Sequence, residues 1–215
     1  RKLGIGMVFQ NFMLVPAMTV AENIALFLPD LGMVLKSEAI AARIRSVGER
    51  YGLTVDPHAY VADLEMGERQ KVEIVKILLG GARVLIFDEP TSVLAPHEVD
   101  GLFQVFARLQ QDNYAILFIT HKLPEVMAVA SRITVLRRGR VAGELLRADA
   151  SPQAIVRLML GADPPQPAHL EQEAEEVAPA AVRLPGFEHR VVREVVEERV
   201  HPGQEDRRGE PEEDR

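Results

Sequence analysis

Cysteine and tryptophan are both missing from the 215 residues, and aromatic side chains supply only 5% of them. Without cysteine there can be no disulfide and no thiolate metal site, and the composition suits a reducing compartment. No apolar run approaches the ~18 residues that a membrane span requires. The opening stretch RKLGIGMVFQ has a short apolar part and no small-residue cleavage site after it, so no secretory leader is expected there. A broad basic field is lacking too. The formal net charge is -7, and the segment from Pro164 to Arg215 holds fourteen acidic against seven basic residues. The rest is balanced in charge, which argues against a nucleic-acid partner. What is present is apolar residues, at 47%, enough for a sizeable core.

The order of patterns along the chain is that of an α/β domain with a mostly parallel sheet. Leu3 to Phe9 reads as a short strand ending at Gln10. Thr19-Val-Ala-Glu22 is a capping box that opens a helix running to about Leu28, where Pro29 stops it. Ser37 is expected to cap a second helix, with Ile40, Ile44, Val47 and Tyr51 on one face and Gly52 as its left-handed stop. Gly67 to Leu79 is the next helix. Val84 to Phe87, an apolar run of four, predicts a central strand buried on both faces. An amphipathic helix over Glu98 to Gln111 carries Leu102, Phe106 and Leu109. Ala115 to Ile119 is a further buried strand, and Pro124 starts a helix to about Ala130. Ile133–Leu136 and Val141–Leu145 flank a hairpin at Gly139. Ser151-Pro152 opens a last helix, closed by Gly161. Beyond it, proline and acidic runs predict disorder, with His189 to Val200 as a marginal short helix.

Chemistry concentrates in few places. Asp88 and Glu89 end a buried strand, and in an open parallel sheet ligands bind beyond such strand ends. Asp88 could hold a Mg²⁺ ion with its waters, and Glu89 could polarise a water attacking a phosphoryl group. A strand ending in Asp-Glu also arises by chance, with the aspartate capping a turn. Gly67-Glu68 at a helix start allows an anion to approach the free amides, although many helices begin this way without function. His121 directly follows a strand and could donate to a phosphate oxygen, or be a satisfied structural histidine. Gln10 could touch a metal-bound water, or be only a polar strand end.

Taken in order, Gln10, a helical insert, Leu64-x-x-Gly67-Glu68-x-Gln70, a helix, VLIFDEPTS and His121 form a set. This arrangement resembles the ATP-binding subunit of an ABC (ATP-binding cassette) transporter, from about Leu3 to Gly161. VFQNFMLVPAMTVAENI, PTSVLAPHE and HKLPEVMAVASRITVLRRGRVAGE look most like cassettes of simple-sugar and nucleoside importers. The resemblance implies a partial P-loop NTPase domain over residues 1–161, with a helical subdomain over 11–80, followed by a disordered tail over 162–215. It implies ATP and Mg²⁺ as cofactors. Gln10 resembles the glutamine that senses Mg²⁺ through water and the γ-phosphate, Asp88 the Mg²⁺-binding aspartate, Glu89 the catalytic base and His121 the switch histidine. Leu64, Glu65, Met66, Gly67, Glu68 and Gln70 fall on the signature motif, which in this family closes over the nucleotide of the opposing cassette. The implied partners are a second cassette, transmembrane permease subunits reached through the helical subdomain and, indirectly, a periplasmic or lipoprotein solute-binding protein. The implied place is the cytoplasmic face of the cell membrane.

Two departures qualify that likeness. The phosphate loop GxxxxGK[ST] has no counterpart; its place would be upstream of Arg1. The expectation is therefore a chain that begins inside the domain, a sheet without its phosphate-bearing strand, and weak activity of the chain alone. Glu65 stands where the motif usually has serine, and an ionised carboxylate cannot donate to phosphate. Two functions remain in view: an ATP-hydrolysing subunit energising sugar or nucleoside import, or a degenerate, non-hydrolysing cassette acting as an interaction or regulatory module.

Overall fold

A computed structural model of the chain describes residues 3–28, 37–161 and 192–197. Its centre is a six-stranded sheet. In chain order the strands are β1 (Ile5–Val8), β2 (Val84–Asp88), β3 (Ala115–Ile119), β4 (Arg132–Arg137), β5 (Arg140–Leu146) and β6 (Val192–Glu197). The helices are α1 (Val20–Phe27), α2 (Ser37–Tyr51), α3 (Met66–Leu79), α4 (Pro96–Gln111), α5 (Leu123–Val129) and α6 (Pro152–Leu160). The spatial order is β1-β2-β3-β6-β4-β5, parallel throughout except for the β4–β5 hairpin.

Local chemistry sets most boundaries. The Thr19 hydroxyl accepts from the Glu22 amide while the Glu22 carboxylate accepts from the Thr19 amide, at 3.3 and 2.8 Å, so two otherwise unpaired amides at the start of α1 are satisfied. Ser151 caps α6 through the Ala154 amide, and Gly161 ends it at φ 73°.

The buried face of the sheet is made by Val8, Leu85, Phe87, Ile116 and Phe118, all packed in one core cluster with α3 and α4. On α4, Leu102, Val105, Phe106 and Leu109 form the i, i+3, i+4, i+7 stripe that turns inward. The Phe106 ring lies 4.6 Å from Phe87 and 5.8 Å from Phe118. Burial of each such side chain stabilises by roughly 1.5–3 kcal/mol. Gly6 lets α3 approach β1: a Cβ there would lie 2.9 Å from Cβ of both Ile77 and Ala82. A second, smaller cluster joins Val126 of α5, Ile133 and Val135 of β4 and Ile155 of α6.

Two expectations need correction. β2 is not buried on both faces: its side chains alternate, with Leu85 and Phe87 inside and Val84 37% exposed. The reason is that α3 and α4 cover the same side, so the side bearing Ile5, Val84 and Ile86 keeps partial exposure. Nor is His189–Val200 helical over its middle. Val192–Glu197 is a strand inserted between β3 and β4, parallel to each. Three β-branched valines in six residues favour a pleated strand over an isolated helix. An inner position of the sheet is thus taken by a strand from the tail. Residues 162–191 and 198–215, where disorder was expected, lie outside the described residues.

Candidate active site at the carboxyl edge of the sheet

Because β1, β2 and β3 run parallel and in register, their carboxyl ends open on one edge. Gln10 lies two residues past β1, Glu89 one past β2 and His121 two past β3. The Glu89 amide donates to the Ile119 carbonyl at 2.9 Å, which fastens the turn after β2 to the end of β3. Glu89 adopts φ 45°, in the left-handed region that a residue with a side chain occupies only at a cost. That geometry aims its carboxylate between the two neighbouring strand ends. Gln10 Nε2 donates to Glu89 Oε2 at 3.2 Å, and His121 Nδ1 sits 3.2 Å from Glu89 Oε1, where a protonated nitrogen donates. The Glu89 side chain is 12% exposed and that of His121 51%. Three of the residues singled out in the sequence therefore converge, each oxygen of one carboxylate meeting one of the other two.

Asp88 is the last residue of β2 and, by strand alternation, stands on the half-open face with Val84 and Ile86. Its hard carboxylate oxygens at a strand end fit Mg²⁺, which is held by one or two protein carboxylates with the remaining positions left to water and phosphate. No group of three or more acidic or histidine side chains that could cage a metal occurs among the described residues. Gln10, with its amide nitrogen committed to Glu89, has its carbonyl oxygen as the atom suited to a metal-bound water.

Two buried polar clusters, neither of them evident from the sequence motifs, hold this edge in place. Glu125 of α5 accepts from the hydroxyls of Thr91 at 2.8 Å and Thr120 at 3.1 Å, and pairs with Lys122 at 3.3 Å. Lys122 Nζ also donates to the Thr91 carbonyl at 3.0 Å. The turn after Glu89 and the turn before His121 are thereby locked together beneath this edge of the sheet. The second cluster lies behind Gln10. Glu73 Oε1 accepts from the Met13 amide at 2.8 Å, Lys76 Nζ donates to the Met13 carbonyl at 3.1 Å, and the two side chains pair at 2.7 Å. Two residues on, Asn23 of α1 grips both the amide and the carbonyl of Val15, at 2.6 and 3.0 Å. The only sequence signal for these groups was charge inside otherwise apolar runs, as in VEIVKILL.

Leu64 to Gln70 form a separate place, the N-terminus of α3. Leu64 is part of the core, whereas Glu65 and Met66 are exposed. The Glu65 amide donates to the Glu68 carboxylate at 3.0 Å, so Glu68 serves as a cap. Gly67 lies against Glu98, and a Cβ would collide with that carboxylate, which itself caps α4 through the Ala95 amide at 2.8 Å. The Gln70 carboxamide is buried with no hydrogen-bond partner among the described residues.

The fold is that of an α/β cassette of the ABC type. Residues 1–92 match the family model described as ABC transporter. Over 160 residues the chain is 47% identical to the nucleoside import ATP-binding protein NupA of Lactococcus lactis, covering 74% of this chain and 32% of that protein. It is 46% identical over 162 residues to the ribose import ATP-binding protein RbsA 1 of Rubrobacter xylanophilus, covering 75% of this chain and 32% of that one. A dimeric bacterial ABC transporter cassette superimposes with a TM-score of 0.57 at 24% identity, over 66% of this chain and 62% of its own, a likeness of fold. The chain belongs to the ATP-binding proteins of ABC transporters. It spans about a third of the length of the curated relatives it matches.

Proposed function

We propose that this chain supplies the hydrolytic edge of an ATP-driven importer for a sugar or nucleoside. The observation that carries the reading is the Glu89 carboxylate held between Gln10 and His121 at the carboxyl edge of a parallel sheet. Glu89 is the base: it accepts a proton from a water that attacks the γ-phosphorus in line with the departing ADP oxygen. Gln10 orients Glu89 and the water, and His121 donates a hydrogen bond to the γ-phosphate oxygens. Asp88, with Gln10 through water, would hold Mg²⁺, which when bound would supply neutralisation of the charge developing on the phosphate. The N-terminus of α3, Leu64 to Gln70, is assigned to the nucleotide of a facing cassette rather than to this edge. The helices between residues 11 and 80 are assigned as the face for membrane permease subunits, with the protein on the cytoplasmic side of the membrane. Relatives named for nucleoside and for ribose import support the solute class.

The test is hydrolysis of ATP by the polypeptide joined at Arg1 to a segment carrying the GxxxxGK[ST] pattern. Mg²⁺-dependent phosphate release is expected, falling by about 10²-fold or more in Glu89→Gln, as for loss of a general base. Unchanged turnover in Glu89→Gln would remove Glu89 from the mechanism. Absence of hydrolysis in the parent would favour the non-hydrolysing interaction module.

A further inference from the structure

In the segment between Gln10 and α1, Leu14 packs against the core, while Met13 is 69% and Val15 42% exposed. Polar grips on the backbone add to that hold. At Met13 both the amide and the carbonyl are taken by one i, i+3 pair of α3, Glu73 and Lys76, whose side chains are only 3% and 7% exposed. A buried ion pair is retained at a desolvation cost, which two apolar side chains on the same helix face would not incur. Each charge here has a further partner in the same short stretch of backbone, so the pair acts as a two-pronged receptor for Met13. Lys76 Nζ also lies 5.7 Å from the Phe27 ring centroid at the end of α1, which fixes the clamp from its other side.

We infer that Glu73 and Lys76 are positioning residues for Gln10: through Met13 they make the seat of Gln10 on Glu89 depend on the position of α3. α3 is a single uninterrupted helix from Met66 to Leu79. A shift of its N-terminal end, where Gly67 meets Glu98, is therefore carried to a backbone point three residues from Gln10. The helix that presents the signature sequence and the glutamine that touches the base form one mechanical unit. The functional half of this inference rests on the ATP-hydrolysis reading above. Its structural half does not.

The experiment follows the Gln10 side-chain amide by nitrogen-15 NMR in the full chain, the signal being assigned by its loss in Gln10→Met. The double variant Glu73→Leu/Lys76→Met removes the grip without stranding a buried charge. It is expected to move the Gln10 signal toward that of a solvent-exposed glutamine and to speed exchange of the Met13 amide by about tenfold or more. Glu73→Gln keeps an oxygen for the Met13 amide and is expected to move the signal less. Val72→Ala, a packing loss on the same helix, should leave it in place. An unmoved Gln10 signal in the double variant overturns the inference, as does an equal movement in Val72→Ala. Should the double variant not fold, Glu73→Gln decides: a Gln10 signal unmoved there overturns it as well. In the hydrolytic polypeptide, the double variant is expected to lower kcat by ~10-fold or more with little change in KM. A moved signal with unchanged hydrolysis would retire Gln10 from catalysis and leave the clamp standing.

Discussion

The φ of 45° at Glu89 makes a prediction that separates backbone strain from chemistry. A residue with a Cβ pays roughly 1–2 kcal/mol to occupy the left-handed region, whereas glycine does not. Glu89→Ala removes the contacts to Gln10 and His121 but keeps the Cβ. Glu89→Gly removes the same contacts and the Cβ. The contacts cancel in the comparison, which leaves the relief of strain less the extra freedom glycine gains in the unfolded chain, ~0.5–1 kcal/mol. Glu89→Gly is therefore expected to be the more stable of the two by about 0.5–1 kcal/mol, the reverse of the usual order. For a chain of 215 residues that is ~1–4 °C in Tm. Paired urea titrations and thermal scans measure it, with the slope against urea serving to show that the unfolded states are alike. Equal stability, or Glu89→Ala the more stable, would show that the turn relaxes without strain and would refute the reasoning. Both variants lack the carboxylate and should be equally poor at hydrolysis.

Gly6→Ala puts a methyl group 2.9 Å from the β-carbons of Ile77 and Ala82, neither of which can swing away, so a loss of ~1–3 kcal/mol is expected from urea unfolding; a neutral result would mean α3 can lift off β1 without cost. Acid stability should depend on Asp112, whose carboxyl is held below its ordinary value of 3.8, first by the Tyr51 hydroxyl at 2.7 Å and then by hydrogen bonding and charge from Arg50. A carboxyl depressed in the folded state adds stability that is fully present above its unfolded pKa and is lost as pH falls through the folded one. Between pH 5 and pH 3, Asp112→Asn should therefore lose less stability than the parent, by urea midpoints at each pH; parallel losses would show that the Tyr51–Asp112 contact is not formed in solution.

The parts of the fold governed by neighbours along the chain were legible in the sequence. The Thr19–Glu22 box, the Ser151-Pro152 start and Gly161 stop of α6, and the β4–β5 hairpin at Gly139 are each decided within a few residues. The convergence at the carboxyl edge of the sheet was legible for a related reason. Parallel strands in register bring residues just past their ends together, so Gln10, Glu89 and His121 could be placed from strand ends alone. What failed to show was non-local. VREVVE sits in an acidic, proline-rich stretch and carries charge on half of its own residues; only pairing with β3 and β4, which the local pattern does not encode, makes it a strand. Val84 looked doubly buried because an apolar run records composition and not which side the helices take. Glu73, Lys76 and Glu125 look like solvated charges in the sequence, and most of their backbone and hydroxyl partners lie far away along it.

The inner place of β6 has a consequence for how the chain reaches its native state. Among the described strands, the last in sequence separates two groups that do not pair with each other, β1-β2-β3 and β4-β5. Until Val192–Glu197 has been synthesised and has found both neighbours, β3 and β4 each present an unpaired strand edge, and Ile116 and Phe118 lie on one of them. Those pairings are of long sequence separation, the kind that forms slowly because the loop must close before any contact rewards it. A growing chain on the ribosome, or one released from denaturant, passes through an open-sheeted stage whose exposed edges invite pairing with other copies. Refolding yield should accordingly fall with protein concentration, and a chaperone that shields strand edges should restore it.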